Sequence, residues 1–167
     1  MLVPQERAPL VAAAWLHDVG YAEALRRTGF HPLDGAEHLR AHDWPPLVTA
    51  LVAHHSGARF VAGVRGLGAQ LAPFDDPRAL EGPLADALTW ADQTVSATGR
   101  LVDVEERLAD VLRRHGPDSP NARCHPVRGP AVRAAVRRTQ ERLRRGGPER
   151  EAHPGEPREQ LLSDPLP

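Results

Sequence analysis

The apolar residues of this chain recur three or four positions apart over most of its length, the spacing of helices that bury one face. The pattern predicts a first helix at 8–20, which is apolar on most faces and is therefore expected at the centre of the fold. Six further helices are predicted at 34–42, 46–56, 59–71, 84–97, 103–115 and 130–145. Since no segment alternates as a strand does, we expect an all-α bundle of about six to seven helices.

Proline and glycine mark the connections between these helices. Residues 73–83 and 116–129 contain both residue types and are predicted to be loops. We assign residues 1–145 to one helical domain. The remaining residues, 146–167, are rich in Pro, Glu and Arg, and we expect them to form a disordered tail.

Several polar and aromatic side chains inside the predicted helices have a structural explanation. Asp86 is expected at the surface or as a capping group. His38 and His42 share one helix face, because residues four apart are neighbours, and the charged residues on that face indicate that it is solvated. The tryptophans are expected in the core or between helices: Trp15, Trp44 and Trp90.

Composition gives little reason to expect a nucleic-acid or membrane partner. The formal net charge is −1, and no stretch approaches the roughly 20 apolar residues of a membrane span. Nothing at the start resembles a secretory signal, and the single cysteine, Cys124, cannot form an internal disulfide, so we expect a cytoplasmic protein. Residues 123–150 contain nine arginines and two acidic residues, but no interleaved aromatics, so we expect a solvated face there.

The dipeptide His17-Asp18 is the first candidate for a functional site, because it follows an apolar segment that is predicted to be a buried helix. Burying a carboxylate is unfavourable unless a charge or a hydrogen bond meets it, and a metal ion would do so. Further candidate ligands lie downstream: His31, His54, His55 and Asp92. Carboxylates mixed with imidazoles suit Mn, Fe, Co, Ni or Zn. Neighbours on a helix diverge by about 100°, so His54 and His55 are expected to flank a cleft rather than face one point.

Four segments in chain order, WLHDVGY, HPLDGAEHL, VAHHSG and ALTWADQTV, resemble successive motifs of the HD-domain metal-dependent phosphohydrolases. The resemblance covers residues 11–100. It is nearest in motif order to the HD-type bacterial dinucleoside tetraphosphate hydrolases, whose later elements are similar to 54–59 and to Ala91-Asp92 followed by Arg100. The HD-GYP phosphodiesterases share the paired histidines, but the Gly-Tyr-Pro element after them is missing here.

The resemblance implies one or two divalent transition-metal ions. One ion would be held by His17, Asp18, Asp92 and a histidine on a preceding helix, and the first three are the expected catalytic residues. Asp18 would bridge to a second ion bound by His31, His54 and His55. Only sixteen residues precede His17 and none is histidine, so either the given sequence starts after that helix or one ligand is missing.

The function expected from the resemblance is hydrolysis of a phosphomonoester or phosphoanhydride, with a nucleotide as the expected substrate, by metal-activated water. Candidate substrate contacts are Arg59, Arg100 and Tyr21, which stands where many relatives carry a lysine. The alternative is a non-catalytic regulatory protein that binds a metal or a nucleotide on the same fold. The third hypothesis is a domain that binds nucleic acid through the arginine-rich segment.

Overall fold

The computed structural model describes residues 4–96 and 98–146, and these form an all-α bundle, as the sequence predicts. Seven helices have at least eight residues: α1 (Pro4–Leu16), α2 (His31–Ala41), α3 (Pro46–His54), α4 (Ala58–Arg65), α7 (Pro83–Thr94), α8 (Val104–His115) and α9 (Pro120–Gly146). Two single-turn helices, α5 (Gly68–Leu71) and α6 (Pro77–Leu80), connect α4 to α7. The predicted tail, apart from Gly146, lies outside the described residues. Across 4–96 and 98–146, no helix combines the length and apolarity needed to cross a bilayer.

The central helix is α3, and the prediction that the first helix is central is wrong. Every residue of α3 from Val48 to His54 is buried, and the helix contributes to both apolar clusters of the core. Within α1, by contrast, Ala13 is fully buried while Trp15 is 85% exposed. The apolar sequence of α1 therefore reflects one buried stripe against α3 and α7 together with an exposed outer face. Trp44 is also largely exposed, and Trp90 is partly buried.

Several predicted boundaries are corrected by the structure. The helix predicted at 59–71 is divided by Gly66, whose positive φ of 71° ends α4. The loop predicted at 73–83 contains α6. The connection predicted at 116–129 is mostly the first half of α9, which continues through Pro126 and Pro130. Both prolines are exposed, and each leaves the carbonyl group four residues before it without its usual helical partner.

The start of α2 is fixed by the buried carboxylate of Asp34. It accepts hydrogen bonds from the backbone N–H and hydroxyl of Thr28, at 2.9 and 2.7 Å, and from the N–H of Gly29 at 3.0 Å. These bonds fold the preceding loop back onto the helix, and α2 begins at His31 rather than at the predicted residue 34. His31 is thereby held in the first turn of a rigid helix.

A close backbone contact joins the turn after α1 to α2. A Cβ atom on Gly20 would lie 2.1 Å from the carbonyl oxygen of His31 and 2.6 Å from the nitrogen of Gly35. Gly35 in turn faces the nitrogen of Gly20 and the side chain of Val52 in α3. Glycine is therefore required at position 20, because only glycine lets the turn that follows His17 approach the first turn of α2.

We expect Gly20→Ala to destabilise the protein by about 2–3 kcal/mol, because backbone atoms rather than a flexible side chain occupy the space of the new methyl group. Gly63→Ala is the matched control. A Cβ there meets open space within α4, so the helix should gain about 0.5–1 kcal/mol. Urea unfolding followed by circular dichroism measures both changes. Equal stabilities of the two variants would contradict this description of the contact.

The sequence predicted Asp86 at the surface or as a capping group, but the structure shows that it is buried. Its carboxylate accepts hydrogen bonds from Nε and Nη2 of Arg138 and from Nη2 of Arg142 at 2.8 Å. The side chain of Asp86 is 3% exposed, whereas the two arginines are 46% and 32% exposed. One carboxylate of α7 thus binds two successive turns of α9.

Removing the charge of this carboxylate should destabilise the α7–α9 contact. We expect Asp86→Asn to lower the free energy of unfolding by about 2 kcal/mol, since the desolvated side chain loses two charge-assisted partners. Asp110→Asn is the control, because Asp110 also pairs with two arginines, Arg113 and Arg114, but within α8 and at the surface, where such pairs contribute below about 1 kcal/mol. Equal losses in urea unfolding would show that burial of Asp86 has no bearing on its contribution.

Candidate metal centre

Two histidines of the site are positioned by the same kind of hydrogen bond, from the imidazole ring to a carbonyl group of the preceding helix. His17 directly follows the end of α1, and His55 directly follows the end of α3. Nδ1 of His17 donates to the carbonyl of Ala14 at 2.9 Å, and Nδ1 of His55 donates to the carbonyl of Val52 at 2.7 Å. Each ring thus caps a carbonyl of the last helical turn that has no partner within its helix. The proton on Nδ1 directs the other nitrogen, Nε2, into the site, as in many metal-binding histidines.

Asp18, His31 and His55 form a cluster that could hold a metal ion. Their ligand atoms all lie within 4.8 Å of one another. Nε2 of His31 is 3.1 Å from Nε2 of His55 and 3.3 Å from Oδ1 of Asp18. Adjacent ligands about 2.0–2.2 Å from one ion are themselves about 2.8–3.6 Å apart in tetrahedral or octahedral arrangement. The donor set and its spacing therefore fit a divalent cation.

His17 and Asp92 extend this cluster on its other side. Nε2 of His17 lies 3.4 Å from Oδ2 of Asp18 and 3.7 Å from Oδ1 of Asp92. The other oxygen of Asp92 accepts hydrogen bonds from the hydroxyl of Ser56 and from the amide of Gln93 at 2.7 Å. Asp92 is thus held by one oxygen, and its second oxygen faces the cluster.

The electrostatics of the cluster divide its histidines into two groups. Burial alone would lower the pKa of His17, but the carboxylates of Asp18 and Asp92 outweigh it and raise this pKa to about 10. Burial and the neighbouring His55 lower the pKa of His31 to about 3. Burial also lowers the pKa of His55. Although burial opposes it, His17, His55 and Ser56 together hold the pKa of Asp92 well below its usual range. These shifts favour the neutral imidazole, the form that binds metals, at His31 and His55. They favour a protonated ring at His17, which would release a proton on binding a metal ion.

Tyr21 and one arginine complete the open side of the cluster. The ring of Tyr21 stacks on His31, with the centroids 3.9 Å apart, and remains 53% exposed. Arg107 of α8 places Nη2 3.7 Å from Oδ1 of Asp92, and its Nε is buried without a hydrogen-bond partner among the described residues. The sequence analysis did not single out Arg107, which lies outside the four motif segments, or Ser56 and Gln93, which lie inside two of them but are not metal-ligand residue types. The adjacency of Ser56 to the paired histidines, and of Gln93 to Asp92, was the available signal.

Three residues predicted for the site lie elsewhere. His54 points away from its neighbour, and its Nε2 lies 3.1 Å from Oδ1 of Asp75. The break at the end of α3 explains this divergence, since His55 is extended and Ser56 has a positive φ of 49°. Arg59 lies with His54 along a separate cavity. Arg100 is exposed, and its backbone N–H donates to Ser96.

His38 and His42, at the end of α2, lie outside the cluster, and only His42 is fully at the surface. The rings of His38 and His42 lie 4.2 Å apart, and Nδ1 of His42 donates to the carbonyl of His38 at 2.8 Å. His42 is exposed, as the sequence predicts, and His38 is partly buried.

Comparisons of the chain with known protein families, with curated proteins and with solved structures found no match.

Metal titration distinguishes the residues of the cluster from His54. We expect Asp18→Asn and His31→Gln to weaken binding of Mn²⁺ or Zn²⁺ at least about tenfold, because each removes a ligand of the cluster. His54→Gln should leave the affinity within about threefold, since its ring faces Asp75. Isothermal titration calorimetry gives the affinities, and thermal denaturation shows that each variant is folded. A loss in His54→Gln equal to that in His31→Gln would contradict this assignment.

Proposed function

We propose that the protein is a metal-dependent phosphohydrolase of the HD type. It hydrolyses a phosphomonoester or phosphoanhydride, and a nucleotide is the expected substrate. The observation that carries this proposal is the position of Asp18 between two groups of ligands. Its Oδ1 faces His31, and its Oδ2 faces His17. A carboxylate with one oxygen toward each group suits a bridge between two divalent ions.

The remaining residues fit separate parts of such a centre. His31 and His55 would hold one ion together with Asp18, and His17 and Asp92 would hold the other. The mixture of imidazole and carboxylate donors favours Mn, Fe, Co, Ni or Zn. Divalent ions in such a centre lower the pKa of water and offset the charge of phosphate oxygens. His54, which the resemblance implied as a ligand, has no part in this arrangement because it faces Asp75.

The protein's own side chains would orient the substrate. The side chain of Asp18 is 55% exposed, so a phosphate can approach its carboxylate from solvent. Arg107 lies beside Asp92 and supplies the guanidinium that suits a phosphate oxygen. The free face of Tyr21, which stacks on His31, can receive a planar base. These contacts favour a nucleotide over an unsubstituted phosphate.

The decisive assay follows release of phosphate or of a nucleotide from p-nitrophenyl phosphate, a nucleoside triphosphate and a dinucleoside tetraphosphate, in the presence of Mn²⁺ or Fe²⁺. We expect metal-dependent turnover of at least one substrate, which a chelator abolishes. Asp92→Ala should lose bound metal and at least about 100-fold in turnover, since it removes a carboxylate from the centre. Asp118→Asn, in an exposed turn, is the control and should retain both.

Full activity of Asp92→Ala would refute this mechanism. Metal binding with no turnover of any of the three substrates would favour the alternative, a non-catalytic protein that binds a metal or a nucleotide. Tyr21→Ala separates the two roles of the tyrosine. A higher KM for nucleotides with an unchanged KM for p-nitrophenyl phosphate is expected if Tyr21 stacks on a base.

A further inference from the structure

A second cavity lies on the opposite side of the turn that ends α3. Its volume is about 480 Å³, within the range of small-molecule sites. The walls come from α4, α6, α7 and α9, and none of the five residues of the metal centre lines it. His54 does line it, so the two adjacent histidines face two different spaces. The cavity is therefore a site separate from the metal centre.

Small side chains create the space. Ala85 of α7 and Ala131 and Ala135 of α9 line the cavity where these two helices border it. The methyl groups leave a gap between the helices and give it an apolar floor. Phe60 and Leu80 extend the apolar wall. Such a floor suits the hydrocarbon or aromatic part of a ligand.

Positive charge exceeds negative charge along the walls. Three arginines line the cavity with two carboxylates, Glu81 and Asp86. Asp86 binds Arg138 and Arg142, but Nη1 of Arg142 is buried and has no hydrogen-bond acceptor within the described parts of the chain.

Arg59 is the most available of the three guanidinium groups. Its nearest carboxylate oxygen is 3.5 Å away on Glu81, which is itself 79% exposed, so this pair is weak. The guanidinium lies over the ring of Phe60, 5.0 Å from its centroid. It is thus held at the cavity by an aromatic face, while its N–H groups remain available to an anion.

We propose that this cavity binds a small organic anion with an apolar body and one carboxylate or phosphate group. The body would lie beside the alanines of α7 and α9, and the anionic oxygens would meet the guanidinium group of Arg59. The site does not depend on the proposed hydrolase activity, because it shares no residue with the metal centre.

Calorimetric titration of the full chain, in the presence of a chelator, tests the proposal with phenyl phosphate, benzoate and neutral phenol as probes. We expect at least one anion to bind at one site and at least about tenfold more tightly than phenol, as an arginine-paired anion should. A preference for phenyl phosphate identifies a phosphate ligand, and a preference for benzoate identifies a carboxylate.

Variants locate the binding. Arg59→Gln should weaken the preferred anion about tenfold, because it removes a charge without disturbing the Asp86 pair. Ala131→Leu should abolish binding by filling the gap, and thermal denaturation checks that it folds. Arg137→Gln, an exposed arginine of α9 outside the cavity, is the matched control and should bind as the native protein does.

The proposal is overturned if phenol binds as tightly as both anions, or if Arg59→Gln and Ala131→Leu both retain full affinity. It is also overturned if binding is lost in His31→Gln, because that would place the anion at the metal centre. The failure of this proposal can be distinguished from the failure of the proposed function. A chelator abolishes metal-dependent turnover, but it should leave anion binding to the cavity unchanged.

Discussion

The backbone contact between Gly20 and Gly35 is the constraint on which the candidate metal centre depends. His17 and Asp18 directly precede the turn that contains Gly20, and His31 lies four residues before Gly35 on α2. Since the two glycines bring the backbones together without a side chain between them, Asp18 reaches to 3.3 Å from His31. A side chain at Gly20 would separate one half of the candidate ligand set from the other.

The second constraint is the turn at the end of α3. His54 and His55 are neighbours in sequence, and yet one faces Asp75 and the other faces His31. The buried Arg128 of α9 holds this turn through a 2.9 Å hydrogen bond to the carbonyl of Ser56. The hydroxyl of the same serine binds Asp92. One turn therefore fixes a ligand of the metal centre, a wall of the second cavity and the orientation of a carboxylate on α7.

The sequence predicted the helical class, and this prediction is confirmed because the spacing of apolar residues is a local property of each segment. Five of the candidate ligands, which the sequence offered by residue type, lie in one cluster in the structure. The predictions that were wrong share one physical cause. Tertiary packing decides which face of a helix is buried and where a helix begins and ends. The apolar composition of α1 did not reveal that Trp15 faces solvent. The prolines of α9 looked like helix breakers, although buried contacts of Cys124, Gly129 and Val132 keep that segment helical.

Tertiary packing also explains the arginine-rich segment, which sequence alone treated as a solvated face. Arg128 turns inward to a backbone carbonyl, and Arg138 and Arg142 bind the buried Asp86. Arg133 forms a two-pronged pair with Glu105 of α8. A protein binds nucleic acid electrostatically when its cations displace counterions from phosphates, and cations already paired with carboxylates contribute little to that exchange. Four of the eight arginines of α9 therefore fasten the helix to α7, α8 and the α3 turn, which explains part of the positive charge of this segment by contacts within the fold.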